Sequence, residues 1–201
     1  MSKLITLIIL VLLVACNNVD SSRQQNDKKD PNIKPGGKIN GNVKHESVKT
    51  VFDFLKWYRK NYNELNQIKL VNNSEADHDS TKYYSVNFKG TEDYLLRLKR
   101  NGFISDKYID KWRRYFQERE ENLRKNPQKD GPPDGFEFDF ILWTQEIDET
   151  LEKIDHPKLI DVKESSTSSI VKVDIMMRIG FTLSKRNGKW LIDNIENLGM
   201  E

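Results

Sequence analysis

Three carboxylates that lie close together in the chain, Asp139, Glu146 and Asp148, and a single thiol, Cys16, are the side chains of this sequence best suited to chemistry. Carboxyl groups held a few ångström apart shift one another's pKa values, so one can serve as acid while the other serves as base. Cys16 is the only cysteine among 201 residues, which excludes an intramolecular disulfide and a cysteine metal cluster. The three histidines, His45, His78 and His156, fall in a linker, in a polar loop and before Pro157. None has the i, i+4 or His-Glu setting of a metal site. No Gly-x-Ser-x-Gly elbow, phosphate loop or dinucleotide fingerprint is present. The residues therefore point to no catalytic set, no metal and no cofactor.

Cys16 stands where one chemistry in particular needs it. Met1-Ser2-Lys3 is a short positive start, and Leu4 to Val14 is an almost unbroken apolar run of 11 residues. A membrane span needs roughly 20 apolar residues, so this run fits the apolar region of a secretory signal instead. Leu13-Val14-Ala15-Cys16 resembles the bacterial lipobox, which implies cleavage before Cys16 and lipid on both its sulfur and its new amino terminus. Acyl chains, at about 0.8 kcal/mol per buried methylene, hold a domain on a membrane when two or more act together. The alternatives are a plain signal peptide with an incidental cysteine, or a cytoplasmic protein with an apolar start. On the lipobox reading no thiol nucleophile remains, and the chain is anchored in a bacterial cell envelope with its domain in the periplasm.

Composition divides the rest of the chain. A signal over residues 1–15 is followed at 16–46 by the lipidated cysteine and a flexible linker rich in Asn, Ser, Gln, Asp, Lys, Pro and Gly. Such a coil of roughly thirty residues reaches roughly 30 Å. Residues 47–201 then form one domain of ordinary size. Net charge is +2 with both signs interspersed, which is no footprint for nucleic acid.

The elements that must position the carboxylates can be read from spacing. Ser47 is a candidate N-cap for a helix to about Leu65, with Val48, Val51, Phe52, Leu55, Tyr58, Tyr62 and Leu65 on one stripe that Phe54 and Trp57 widen. Tyr83 to Phe88 alternates like a short strand or extended piece. Thr91 is a candidate cap for a second helix that stops at Gly102, and Ser105 caps a third that stops at Asn126-Pro127. The most unusual stretch follows a turn-rich loop at 129–135: Phe136-Glu137-Phe138-Asp139-Phe140 alternates aromatics and acids before Trp143-Thr144-Gln145-Glu146. Ile160 and Val162 mark a strand, residues 170–178 and 181–185 read as sheet, and Asn187-Gly188 signals a type I′ hairpin leading to Trp190-Leu191-Ile192. Helices followed by antiparallel strands make the domain α+β.

Three segments carry a resemblance. Phe54-Leu55-Lys56-Trp57-Tyr58-Arg59-Lys60-Asn61-Tyr62, Asp139-Phe140-Ile141-Leu142-Trp143-Thr144-Gln145-Glu146 and Asn187-Gly188-Lys189-Trp190-Leu191-Ile192-Asp193 resemble a family of bacterial lipoproteins of unknown function. The resemblance implies a cystatin-like fold related to nuclear transport factor two, with a long N-terminal helix and further helices on a curved C-terminal antiparallel sheet. It implies no activity. Some periplasmic proteins of this general build act as immunity proteins, and related folds host isomerases and dehydratases in a cavity between helix and sheet.

Two functions stay open at this point. In the first, the domain is a non-catalytic binding module for an envelope protein or small ligand, inhibitor- or immunity-like, with Asp139, Trp143, Gln145 and Glu146 forming a recognition patch beside Pro132-Pro133. Asp139 and Gln145 can equally serve as satisfiers of backbone groups where this loop enters the sheet. In the second, it is an isomerase, dehydratase or hydrolase using its acids. A wide cavity with Asp139 or Glu146 in its wall favours the enzyme, whereas a filled interior with an exposed aromatic patch favours binding.

Overall fold

The computed structural model describes residues 45–73 and 83–199, so Cys16 lies outside the described residues. Four helices precede and feed a four-stranded sheet, an α+β arrangement: α1 (Glu46–Asn66), α2 (Phe88–Arg100), α3 (Asp106–Lys125) and α4 (Ile147–Lys153). A two-stranded ribbon, β1 (Val71–Asn72) with β2 (Ser85–Val86), joins α1 to α2. The main sheet is an antiparallel meander in the order β3 (Lys158–Glu164), β4 (Ser168–Asp174), β5 (Arg178–Arg186) and β6 (Lys189–Asn197).

The stripe on α1 packs as its spacing requires. Val48, Val51, Phe54, Leu55, Tyr58 and Leu65 are buried. The Phe54 ring meets Phe181 of β5 edge-on at 6.4 Å. The helix begins one residue earlier than Ser47, however, and its N-cap is His45, which makes no side-chain capping bond. The reason is a cap supplied from across the fold: the Glu164 carboxylate of β3 accepts the Ser47 N–H at 3.0 Å and the Ser47 hydroxyl as well. Ser169 of β4 donates its own hydroxyl to Ser47 at 2.8 Å. A carboxylate at a helix N-terminus meets both free N–H groups and the positive end of the dipole.

Burial pushes the Glu164 carboxyl up, but the Ser47 hydroxyl and N–H together with His45 outweigh it, so the group sits below its ordinary value. A depressed carboxylate stabilises the fold above its unfolded value, near 4.5, and that contribution is lost as pH falls through the lower folded value. Glu164→Ala is expected to lose about 2 kcal/mol in urea unfolding at pH 7, a difference from the wild type that shrinks as pH falls through the lowered folded value.

The start of α2 departs from the expected strand and cap. Only Ser85–Val86 pair as strand, and α2 begins at Phe88 behind Asn87, whose side chain accepts from the Gly90 N–H at 3.1 Å. The Thr91 hydroxyl bonds back to the Phe88 carbonyl inside the helix, so it is no cap. Ser105 does cap α3, accepting from Tyr108 N–H at 3.3 Å.

In the sheet, two bulges decide which residues face the helices. Ile160 and Val162 both lie in β3, as expected, and Ile160 is the extra residue between the pairs Leu159↔Val173 and Asp161↔Lys172, turned outward to 43% exposure. Asp193 is the extra residue of β6, which keeps Ile192 and Ile195 both buried. The run at 170–178 is broken after Asp174 by a turn in which Met176 has φ +80°. Asn187 and Gly188, with φ +50° and +76°, make the expected tight hairpin. Backbone bonds from Ile192 N–H to Phe103 and from Ser105 N–H to Ile192 cover the edge of β6 and fix where α3 starts.

Candidate functional site

The aromatic-acidic stretch builds the wall of a cavity of about 700 Å³. Tyr58 and Tyr62, one helical turn apart on α1, form one side, and Tyr94 of α2 lies deep within it. Opposite them stand Pro133, Phe136, Phe138, Asp139 and Phe140 of the long loop before α4. The stretch from Leu65 to Val71 at the end of α1 completes the lining. No residue of β3, β4, β5 or β6 contributes, so this space is not the one expected between helix and sheet.

A loop can hold such a wall only if its backbone is fixed. Asp139 does this locally: one carboxylate oxygen accepts the N–H groups of Ile141 at 2.9 Å and Leu142 at 2.7 Å. Its carbonyl accepts from Trp143 N–H at 2.8 Å, and its own N–H donates to the Thr144 carbonyl at 3.1 Å. The closed turn drives Ile141 and Leu142 into the core, where both are fully buried. Upstream, α3 anchors the loop through Tyr115, whose hydroxyl donates to the Gly135 carbonyl at 2.7 Å, and through Asn122, which donates to Asp134 at 2.8 Å. The Trp112 ring meets Phe140 at 4.8 Å.

The other Asp139 oxygen accepts from the Tyr58 hydroxyl at 2.5 Å. Tyr94 is buried in the same wall as Tyr58, so polar groups gather at the floor of an otherwise aromatic space. Burial pushes the Asp139 carboxyl above its ordinary value, although Tyr58 and the two backbone N–H groups act against that. Burial, then the neighbouring tyrosine and Asp139, push the Tyr58 hydroxyl well up, and burial does the same at Tyr94. Tyr62, nearer the opening, is raised by burial first and by Asp139 and Asp148 after it. All three phenols stay protonated donors at neutral pH.

The four residues of the expected recognition patch divide into two pairs. Asp139 and Gln145 line the cavity together with Pro133. Trp143 and Glu146 do not. Trp143 is half-buried behind the wall, its ring stacked on Phe138 at 5.0 Å, and its backbone takes φ +56°, a left-handed conformation costly for a bulky residue. Its role is to brace Phe138. Glu146 is exposed and forms the N-cap residue of α4, while Asp148 is exposed on that helix. The loop therefore runs into α4 before reaching the sheet, contrary to the expected direct entry. Of the two candidate backbone satisfiers, Asp139 is one, and Gln145 is an exposed residue whose carbonyl accepts from Ile147 N–H at 3.0 Å.

The site's tyrosines are not identifiable as site residues from spacing, which puts them on apolar stripes with core residues. Their hydroxyls were the available signal, since a buried phenol needs a polar partner. Among the described residues no cluster of three or more His, Cys, Asp or Glu side chains could hold a metal ion. No protein-family profile matches this chain, and no curated protein and no solved structure does either.

Proposed function

We propose that the chain is a lipid-anchored envelope protein whose domain binds a small ligand in the Tyr58–Asp139 cavity without transforming it. The observation that carries the binding reading is the state of Asp139. It is the acid in the cavity wall with a raised pKa, yet both its oxygens are already engaged by Tyr58, Ile141 and Leu142. A carboxylate that closes a turn and orients a phenol is built to stay still, whereas a general base must be free to take a proton from substrate. The volume and aromatic lining, with a few fixed polar groups, suit a small-molecule site. A cystatin-like relationship with a curved sheet accords with the helices-then-meander order, and an inhibitor- or immunity-like role rests on the family resemblance alone.

Ile68 is half-buried and lines the cavity. Ile68→Trp is expected to abolish saturation-transfer NMR signals from bound fragments while leaving the unfolding midpoint nearly unchanged. Retained signals place binding elsewhere. Anchoring is tested separately at Cys16: the wild type is expected to incorporate an alkyne-tagged fatty acid and sediment with membranes, and Cys16→Ser to lose both. Incorporation by the serine variant contradicts the lipobox reading.

The enzymatic reading keeps one favourable observation, the raised carboxyl of Asp139 in the wall of a wide cavity. It is distinguished by fate. A bound ligand recovered chemically unchanged after long incubation supports the binding role, and an Asp139-dependent product supports the enzyme.

A further inference from the structure

Six aromatic rings line the cavity, and their contacts form a nearly continuous arc. Tyr62 meets Tyr58 edge-on at 6.0 Å, Tyr94 meets Phe140 at 6.4 Å, and Phe140 meets Phe136 at 5.9 Å and Phe138 at 5.8 Å. Asp139 sits inside this arc. Every donor to its carboxylate is neutral: one phenol hydroxyl and two backbone N–H groups. Its neighbours along the wall add Glu137, while the exposed Lys69 is the basic residue among the described lining. A largely buried carboxylate with neutral donors on its protein side, open on its other side to a ring-lined space, gains most from a ligand that brings positive charge. A compact metal ion is a poor candidate, because the Asp139 oxygens already accept from Tyr58, Ile141 and Leu142, and among the described residues no three His, Cys, Asp or Glu side chains gather to hold one. A cation that carries its charge under alkyl groups suits both the carboxylate and the ring faces.

We propose that this cavity takes an organic ammonium ion, seated against the Asp139 carboxylate and enclosed by the rings of Tyr58, Tyr62, Tyr94 and Phe138. The proposal rests on the small-ligand reading above and adds the charge of the ligand to it. The cationic head occupies the floor, and an apolar remainder extends towards Ile68 and Ile147, which also line the space.

The test compares choline with 3,3-dimethylbutan-1-ol, its neutral carbon analogue, by calorimetry on the full chain in nanodiscs, with empty discs as the blank. Choline is expected to bind at least about ten-fold more tightly. Asp139→Asn is expected to bring the two affinities within about two-fold of each other, since the shape of the site is kept and its charge removed. Tyr62→Leu, at a partly exposed ring outside the Asp139 turn, should weaken choline binding several-fold, and Tyr62→Phe should restore it. Equal affinity of both probes for the wild type overturns the ammonium proposal and leaves small-ligand binding standing. The ammonium proposal is likewise overturned if neither probe binds while other fragments still bind in an Ile68-dependent way. If no fragment binds at all, the binding reading itself falls.

Discussion

Asp139→Ala is expected to destabilise the domain by about 4 kcal/mol, because it strands three donors at once. The Tyr58 hydroxyl belongs to a residue only 1% exposed, and the N–H groups of Ile141 and Leu142 belong to residues that are fully buried. An unpaired buried donor costs about 1–3 kcal/mol, and water entering through the cavity offsets part of the total at Tyr58. Asp139→Asn should cost only about 1 kcal/mol, since an amide oxygen can accept the turn N–H groups and the Tyr58 hydroxyl can rotate. Chemical unfolding at neutral pH measures both. The pH dependence carries a second signature. Because the folded Asp139 carboxyl is raised above its ordinary value, chiefly by burial, the folded state holds this proton more firmly than the unfolded chain does. Its contribution to stability therefore falls as pH rises from the ordinary aspartate value through the raised one, opposite in sign to that of Glu164. Asp139→Asn should remove that decline and leave the acid-side loss due to Glu164 in place.

Gly90→Ala is expected to be nearly as damaging, by about 3 kcal/mol, although the glycine lies in a helix where alanine is intrinsically favoured by about 1 kcal/mol. A Cβ built there would stand 1.9 Å from the Lys69 carbonyl oxygen, a backbone atom that cannot swing aside. The approach is enforced by two bonds: the Asn87 side-chain amide donates to that same oxygen at 2.8 Å, and the Asn87 N–H donates to the Leu70 carbonyl at 2.8 Å. Relief of the overlap must push the start of α2 away from residues 69 and 70, both of which line the cavity. Ligand binding should weaken along with the unfolding midpoint. Lys89→Ala, an exposed neighbour in the same turn, should stay within about 0.5 kcal/mol of the wild type.

These two positions show how unevenly the fold could be read in advance. The amphipathic helices, the Ser105 cap and the Asn187-Gly188 hairpin follow from short-range spacing and turn chemistry, and local rules were enough for them. Local rules misplace the α1 cap because its partner, Glu164, lies 117 residues away, beyond any local signal. Local rules misplace the α2 start because Asn87 and Gly90 are committed to residues 69 and 70, again a tertiary choice. Ile160 and Asp193 occupy bulges that hydrophobic alternation does not reveal.

The candidate site was half legible. The alternation of Phe136, Phe138 and Phe140 with acids marked an unusual wall, and Asp139 and Gln145 do reach the cavity. Proximity in sequence groups Trp143 and Glu146 with them, but the tight turn at 139–144 sends the indole behind Phe138 and leaves Glu146 at the start of α4. Tyr58 stands on the α1 stripe among core residues, which its burial supports, and only the approach of the loop to α1 gives its hydroxyl the Asp139 partner.

The most direct measurement of the central claim is to locate a bound ligand by backbone amide NMR on the full chain in nanodiscs. A fragment that binds should shift the amides of Tyr62, Ile68, Phe138, Asp139 and Gln145 together, leave Ile160 and Ile170 on the outer sheet unmoved, and emerge chemically intact. Shifts confined to the sheet, or a spectrum that no fragment perturbs, would contradict the assignment of this cavity as the binding site.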